Sequence, residues 1–415
     1  MPERTVGWVC AVVVAVVGLV FGVASSAAAD QIRDRQWHLD FLKADRVHAL
    51  TKGDGATVAV VDTGVDAAHP DLKGNVLKGT DVSSTLGGDG WKDEDGHGTA
   101  MASLIAGHGH GSGGRDGVLG LAPEAKILPV RDHTGEEGMS FGDEAIRWAV
   151  DHGATVINFS AVETGLADAI EYALSNDVVV IAAVGNTGEG DSVVGEPANL
   201  PGVIAVSGID KSGAFTKESV EGSDVALAAP AVGIMAAGAG DRGRYATATG
   251  TSDATALVSA AAALVRAKYP DLNAANVIER LVRTADDRGE KGRDSKYGFG
   301  VVNPLKALTA EVPEVAKNPL GGPSGESSGE AGKPGGGDEP SKLTARDTSD
   351  AAGLGVLVGA GLGVAALLAI AVGVALMLRN RRRRRPVPAP LPPPGMMPGA
   401  WRPPPPGAPG AGPGP

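Results

Sequence analysis

Short apolar runs alternate with amphipathic helical patterns between Asp30 and about Pro313, and this alternation constrains the fold more than any other feature. The apolar runs are rich in β-branched residues, as buried strands are: TVAVVD, AKILPV, TVINFS, VVVIAAV and VIAVSG. The helical patterns lie between and after them: DEAIRWAVDHG, LADAIEYALSN and NAANVIERLVRTA. Nearly continuous apolar strands separated by such helices indicate a sheet that is covered on both faces. We therefore predict an α/β fold with a doubly wound, mostly parallel sheet, whose chemistry lies at the carboxyl ends of strands.

The N-terminus has the features of a signal peptide, which we predict over residues 1–29. Arg4 precedes an apolar core from Val6 to Val23, and small residues up to Ala29 match a cleavage site. Cleavage there leaves Asp30 as the mature N-terminus. The alternative is an uncleaved anchor helix, because the apolar core nearly spans a bilayer.

A second apolar stretch, residues 351–378, carries no charge and is long enough to cross a membrane. Arginines follow it at Arg379 and from Arg381 to Arg385, and such a cluster stays in the cytoplasm. We predict one C-terminal transmembrane helix, with the N-terminal part of the chain outside. Residues 314–350, rich in Gly, Pro, Ser and Glu, are predicted to be a disordered linker. The basic, then Pro/Gly-rich residues 379–415 are predicted to be a cytoplasmic tail, either a ligand for a proline-reading partner or simply solvated.

Cysteine content and charge exclude several other functions. Cys10 is the only cysteine and lies within the predicted signal peptide, so the mature chain has no thiol for a disulfide or a metal. The formal net charge is −12 at pH 7 even with the basic tail included, which disfavours a nucleic-acid partner for the exported part. The sequence indicates no cofactor and assigns no metal ligand, and it leaves calcium binding open, because Asp93 and Asp95 alone are no evidence of a calcium site.

Three residues of catalytic type lie at strand or helix ends. Asp62 closes the run TVAVVD, His97 lies in DEDGHGTAMASLIAG, and Ser252 begins the apolar run of GTSDATALVSAAAALV. Taken singly, they could be a turn-forming aspartate, a surface histidine and a helix N-cap. Taken together, they have the types that nucleophilic catalysis needs, because a serine requires a base on its hydroxyl and an anion that orients the base.

Four blocks in chain order resemble the signature blocks of subtilisin-like serine proteases, the subtilases: VAVVDTGVD, GHGTAMASLIAG, AAVGNTG and GTSDATALVSAAAALV. The resemblance spans about Asp30 to Leu308, and the order Asp, His, Ser is that of subtilisin. It implies a serine endopeptidase of peptidase family S8, with Ser252 as nucleophile, His97 as general base and then acid, and Asp62 as the group that fixes the imidazole tautomer. It also implies that Asn186 and the Ser252 backbone N–H stabilise the oxyanion.

The same resemblance implies an extended substrate bound between two strands. It assigns these residues to the substrate-binding cleft: Gly135, Glu136, Glu137, Ser160, Ala161, Val162, Gly195 and Glu196. Residues 135–137 match an edge strand, and residues 160–162 match the opposite strand beside the first specificity pocket. Residues 195 and 196 match the floor of that pocket. The glutamates suggest a preference for basic residues near the scissile bond, and solvated acidic loops are the alternative.

The N-terminal segment narrows the resemblance. Residues 30–56 are too short for the folding prodomain that secreted subtilases usually carry. The segment DQIRDRQWHLDFLKADRVHALTKGDGATVAVVDTGVD instead resembles the N-terminal extension of mycosins, the membrane-anchored subtilases associated with type VII secretion in actinobacteria. The resemblance implies a single-pass type I cell-membrane protein that cleaves exported proteins beside a type VII secretion membrane complex. The alternative is a scaffolding subunit of that complex with weak or vestigial proteolysis.

The chain departs from the subtilase pattern close to the site. Asp253 and Ala256 stand where subtilases usually have a hydrophobic residue and a proline, and an inward-pointing Asp253 would raise the pKa of His97 or weaken oxyanion stabilisation. Ala161 and Val162 replace the usual Leu-Gly, which would narrow the pocket. Disulfides seen in some mycosins cannot form.

Overall fold

The computed structural model describes residues 32–84, 87–133, 140–239 and 245–322. The predicted signal peptide, transmembrane helix and cytoplasmic tail lie outside these residues, as does most of the predicted linker. Within the described ranges, no helix combines the length and apolar character that crossing a membrane requires.

The described strands and helices alternate along the chain as the sequence predicts. The strands are β1 (Thr57–Asp62), β2 (Thr80–Asp81), β3 (His108–His110), β4 (Asp116–Leu119), β5 (Lys126–Arg131), β6 (Val156–Phe159), β7 (Val179–Ala183), β8 (Ile204–Ile209), β9 (Leu227–Pro230), β10 (Val232–Ala237) and β11 (Tyr245–Thr249). The α-helices are α1 (Trp37–Phe41), α2 (Ala44–His48), α3 (His97–Ala106), α4 (Gly142–Asp151), α5 (Ala167–Ser175), α6 (Thr251–Lys268), α7 (Ala274–Arg283) and α8 (Pro304–Thr309).

A seven-stranded parallel sheet runs in the order β2-β5-β1-β6-β7-β8-β9. All five apolar runs noted in the sequence are strands of this sheet, which confirms the predicted α/β class. The sequence pattern did not reveal β2 and β9, nor the two antiparallel hairpins β3-β4 and β10-β11.

Strand β1 shows why both faces of the sheet are covered. Val58 and Val60 belong to the core that contains α3, α6 and α7, whereas Ala59 and Val61 belong to the core that contains α4 and α5. Successive side chains of a strand point to opposite faces, so an uninterrupted apolar run supplies both cores.

Helix α6 lies against the middle of the sheet and is buried almost along its whole length. Its run of alanines from Ala260 to Ala263 is fully inaccessible to solvent. Small side chains let the helix approach the strands closely, and this positions its first turn at the carboxyl edge of the sheet.

The N-terminal segment is tied to the domain surface by side-chain hydrogen bonds. Trp37 Nε1 donates to the Val232 carbonyl over 3.1 Å. Gln36 Nε2 donates to the Leu119 carbonyl, and the Leu119 N–H donates to Gln36 Oε1, both over 2.9 Å. These contacts fix the segment against β4 and the start of β10.

The beginning of the predicted linker differs from the expectation of disorder. The Val315 N–H donates to Asn276 Oδ1 over 2.7 Å, and Asn318 Nδ2 donates to the Gly202 carbonyl over 3.0 Å. Leu320 also packs against the core. Residues 314–322 therefore belong to the folded domain, because one backbone N–H and two side chains of this stretch find partners on it.

Candidate active site

Asp62 and His97 form a close pair at the carboxyl end of β1. His97 Nδ1 lies 2.8 Å from Asp62 Oδ1 and 2.9 Å from Asp62 Oδ2. Asp62 Oδ1 also accepts hydrogen bonds from the Thr63 N–H over 2.8 Å and from Thr63 Oγ1 over 3.2 Å. A carboxylate on Nδ1 keeps the proton there, which leaves Nε2 free to act as a base.

Two features of the DEDGHGT stretch bring His97 to this strand end. A Cβ on Gly98 would lie 2.1 Å from the Gly64 carbonyl oxygen, so only glycine lets the first turn of α3 approach β1. Asp93 organises the loop before the helix, because its Oδ2 accepts from the Thr99 N–H over 2.9 Å and its Oδ1 from the Gly96 N–H over 2.7 Å. Asp93 is thus a structural residue of the loop.

Ser252 lies within the first turn of α6 and is not its N-cap. The cap position belongs to Gly250, and no side chain caps this end. The N-cap interpretation of Ser252 is therefore wrong. Its Oγ donates to the Ser160 carbonyl over 3.1 Å, and no hydrogen bond joins it to His97 among the described residues.

Asn186 follows β7 and is oriented by the start of α6. Its Oδ1 accepts from the Thr251 N–H over 2.9 Å and from Thr251 Oγ1 over 3.1 Å. Because the Thr251 N–H can only donate, these bonds identify the oxygen of the carboxamide and direct Nδ2 elsewhere. Nδ2 lies 3.3 Å from Glu189 Oε2, so a carboxylate competes for the predicted oxyanion donor.

These side chains share a cavity of about 410 Å³ at the carboxyl edge of the sheet. Its lining includes the predicted catalytic residues and three of the predicted cleft residues: Asp62, His97, Asn186, Ser252, Ser160, Ala161 and Val162. Parallel strands gather their carboxyl ends at one edge, which explains why residues far apart in sequence meet here. No described residue of the N-terminal segment, 32–56, lines this cavity.

Of the five remaining predicted cleft residues, the structure describes only Gly195 and Glu196. Gly135, Glu136 and Glu137 are outside the described residues. Gly195 packs under Val162, since a Cβ there would lie 2.4 Å from Val162 Cγ1. Glu196 Oε2 accepts from the Gly165 N–H over 2.7 Å and from the Leu166 N–H over 3.2 Å. The structure therefore uses Glu196 to hold the loop before α5, and neither Gly195 nor Glu196 is among the described residues that line the cavity.

Charges around the imidazole strengthen its basicity. Burial lowers the pKa of His97, but the Asp62 carboxylate, with smaller contributions from Asp253 and Asp95, outweighs this and raises it to about 9. Burial also raises the pKa of Asp62, yet the charge of His97 and the hydrogen bonds to His97 and Thr63 outweigh it and hold the value below its usual range. The pair is therefore ionic in this state.

Asp253, next to Ser252, is the departure from the subtilase pattern that matters most for the site. Its side chain is buried, and no hydrogen bond reaches Oδ1 among the described residues. Burial raises its pKa to about 7, although the positive charge of His97 opposes this. The inward orientation that the sequence left open is thus present.

Sequence reasoning missed a second His–Asp pair in the cavity wall. His133 lines the cavity, and its Nδ1 lies 2.6 Å from Asp132 Oδ1 directly after β5. This hydrogen bond raises the pKa of His133. A polar pair immediately after a buried strand was the available signal. As for metals, no three His, Asp or Glu side chains within the described ranges are grouped so as to hold an ion.

Comparisons with known proteins identify the family of this chain. The family model for the subtilase family, Peptidase_S8, matches residues 53–300. Subtilisin DY from Bacillus licheniformis is 34% identical over 275 residues, which cover 64% of this chain and 95% of that protein.

Solved structures of similar sequence have the same fold. MycP1 from Mycobacterium smegmatis aligns with a TM-score of 0.60 and 30% identity, covering 69% of this chain and 87% of that chain. The MycP3 protease from the type VII (ESX-3) secretion system aligns with a TM-score of 0.56 and 32% identity, covering 66% of this chain and 88% of that chain.

Proposed function

Because the chain belongs to the subtilase family, we propose that Asp62, His97 and Ser252 are its catalytic triad and Asn186 its oxyanion donor. Members of this family are serine-type endopeptidases that act on protein substrates, and this chain is one of them. The observation that carries the assignment is the His97–Asp62 pair, 2.8 Å apart, on the wall of a cavity that Ser252 and Asn186 also line.

The proposed reaction begins when Ser252 Oγ turns from the Ser160 carbonyl to His97 Nε2. Oγ then attacks the scissile carbonyl carbon and gives its proton to Nε2, while the oxyanion accepts hydrogen bonds from Asn186 Nδ2 and the Ser252 N–H. The leaving amine takes the proton from His97, which leaves an acyl-enzyme on Ser252. Water attacks the acyl carbon, gives a proton to His97 and releases the second product as Ser252 recovers its hydrogen.

Two features of the structure support the assignment of Ser252 N–H and Asn186 Nδ2 as oxyanion donors. The first-turn N–H of Ser252 has no acceptor four residues earlier within α6, and it lies at the positive end of the helix. Thr251 holds the oxygen of the Asn186 carboxamide, so Nδ2 is the donor end of that group, and a substrate oxyanion would take the place of Glu189 on it. Asn186 and Ser252 line the same cavity.

We test this assignment by labelling the soluble part of the chain, residues 30–350, with a fluorophosphonate probe. The wild type should react covalently at Ser252, whereas Ser252→Ala and His97→Ala should not, because phosphonylation needs an activated hydroxyl. A folded wild type that resists the probe under alkaline conditions would contradict the triad.

We further propose a type I cell-membrane protein: signal peptide 1–29, peptidase domain 30–313 extended by contacts to 322, linker to 350, transmembrane helix 351–378 and cytoplasmic tail 379–415. The apolar stretch and the arginines after it support this topology. The similar proteins MycP1 and MycP3, the latter from a type VII secretion system, support a place beside such a complex and exported proteins as substrates.

A scaffolding role in the secretion complex is the second candidate. Two observations favour weak proteolysis: Ser252 donates to Ser160 instead of to His97, and the neighbouring Asp253 Oδ1 accepts no hydrogen bond from any residue that the structure describes. Secretion by cells that carry Ser252→Ala separates the two roles. Loss of secretion equal to that of a full deletion supports the enzymatic role, and normal secretion supports the scaffold.

A further inference from the structure

Asp253 is a buried carboxyl group that the proposed mechanism does not use. It follows the nucleophile in α6, is 1% exposed, and leaves Oδ1 without a hydrogen bond among the described residues. An ionised carboxylate in such surroundings is unfavourable unless a cation or several donors compensate it. Its surroundings therefore determine what it can bind.

Asp253 lines a second cavity, of about 390 Å³, whose lining also includes the nucleophile Ser252. Ser252, His97 and Asn186 line both cavities, so the scissile bond sits at their junction. The first cavity contains Ser160, Ala161 and Val162, which match the strand that holds the acyl half of a substrate. The second cavity is accordingly left for the residues after the scissile bond.

The walls of the second cavity are small and mostly apolar. Alanines and a methionine supply much of them, including Ala100, Met101, Ala237, Ala239 and Ala248. Such walls accept the aliphatic stem of a long side chain and leave its polar end to find a partner. The described residues of β10 and β11 that line the cavity carry no ionisable group.

The ionisable groups that face this cavity from the other elements are mostly acidic. Asp95 precedes α3, Glu189 follows β7, and Asp253 lies in α6, while His97 is the one basic group among the described lining residues. Because His97 is already paired with Asp62, the cavity retains an excess of negative charge.

We propose that Asp253 makes this chain select lysine or arginine as the first residue after the scissile bond. The inference rests on the proposed endopeptidase function. The stem of the side chain lies along the alanines, and the ammonium or guanidinium meets the Asp253 carboxylate, which then gains the partner that it lacks in the free protein.

The selectivity depends on the ionisation of Asp253. The pKa of this carboxyl is raised to about 7, so it is ionised at pH 8 and largely neutral at pH 6. A neutral carboxyl has no net charge to attract a cation. The preference should therefore be strong in mildly alkaline solution and weaken as the pH falls.

The experiment compares pairs of fluorogenic peptides that differ only at the first residue after the scissile bond, with lysine in one and methionine in the other. We expect the ratio of kcat/KM for lysine over methionine to be at least about tenfold at pH 8 and to fall towards one at pH 6. In Asp253→Asn the ratio should be close to one at both pH values. A ratio within one enzyme cancels any general change in rate.

Asp95→Asn is the matched control, because it removes one exposed carboxylate from the same cavity. It should retain most of the lysine preference. A wild-type ratio near one at pH 8, or an unchanged ratio in Asp253→Asn, would overturn the inference. The pH dependence of the wild type tests it even when the variant fails to fold. Absence of cleavage of both peptides together with absence of fluorophosphonate labelling would instead refute the proposed triad.

Discussion

Two buried carboxylates flank the same imidazole, and their environments are opposite. Asp62 is surrounded by donors, from Thr63 and from His97, and its pKa lies below the usual range despite burial. Asp253 is equally buried, but no described residue donates to its Oδ1, and burial raises its pKa to about 7. Burial alone therefore does not determine ionisation. The charge of His97, together with the hydrogen bonds from His97 and Thr63, lowers the pKa of Asp62, whereas burial dominates at Asp253 and raises its pKa.

The largest effect is expected from Asp62→Asn. The amide keeps the shape but holds the wrong tautomer of His97, so kcat should fall by about 10⁴. Hydrolysis of a peptide substrate measures this, with the thermal unfolding midpoint as a control for folding. A loss smaller than about tenfold would mean that Asp62 is not the residue that orients His97.

Removing the oxyanion donor should have the next largest effect. Asn186→Ala is expected to lower kcat by about 10² to 10³ with little change in KM, because the lost hydrogen bond forms only in the transition state. Glu189→Gln is the matched control. It removes a negative charge 3.3 Å from Asn186 Nδ2 and should raise kcat slightly. Equal losses in both variants would contradict the assignment of Asn186.

Asp62 and Asp253 also differ in how far their positions could be predicted from the sequence. Asp62 ends a short, nearly continuous β-branched apolar run that is typical of a buried strand, so its place at the carboxyl edge was predictable. The short strand β9 and the hairpin strand β11 carry no clear period, and the sequence pattern therefore missed them.

Within the site, the chain order and four sequence motifs were enough to predict that Asp62, His97 and Ser252 act together. The inward orientation of Asp253 depends on the rotation of α6, and the loop-holding role of Glu196 depends on a neighbour 30 residues away, Leu166. Such contacts arise from tertiary packing. Neither local propensity nor motif spacing encodes them.

The pH dependence of the free energy of unfolding should also distinguish Asp253 from Asp62. The native pKa of Asp253 is about 7 and the value in an unfolded chain is about 3.8, so the native state binds the proton more tightly. Stability is therefore lost as pH rises from about 4 to 7, by at most about 4 kcal/mol. Asp253→Asn avoids this loss.

Thermal unfolding at pH 5 and pH 8 measures the effect. The increase in the unfolding midpoint of Asp253→Asn over the wild type should be larger at pH 8 than at pH 5. Asp62→Asn should lower the midpoint at pH 8, because its carboxylate is paired there. An Asp253→Asn variant that is less stable than the wild type at pH 8 would show that the carboxylate has a partner in solution.

The smallest effect is expected when the pH profile of kcat/KM for Asp253→Asn is compared with that of the wild type. The proposed base must be neutral, and the pKa of His97 is about 9, so kcat/KM should rise tenfold per pH unit below that value and level off above it. Asp253 raises the pKa of His97 less than Asp62 does. Its removal should therefore shift the acid limb modestly towards lower pH. A limb that does not move would mean that Asp253 carries no charge while His97 titrates, and that Asp62 sets the basicity of the site.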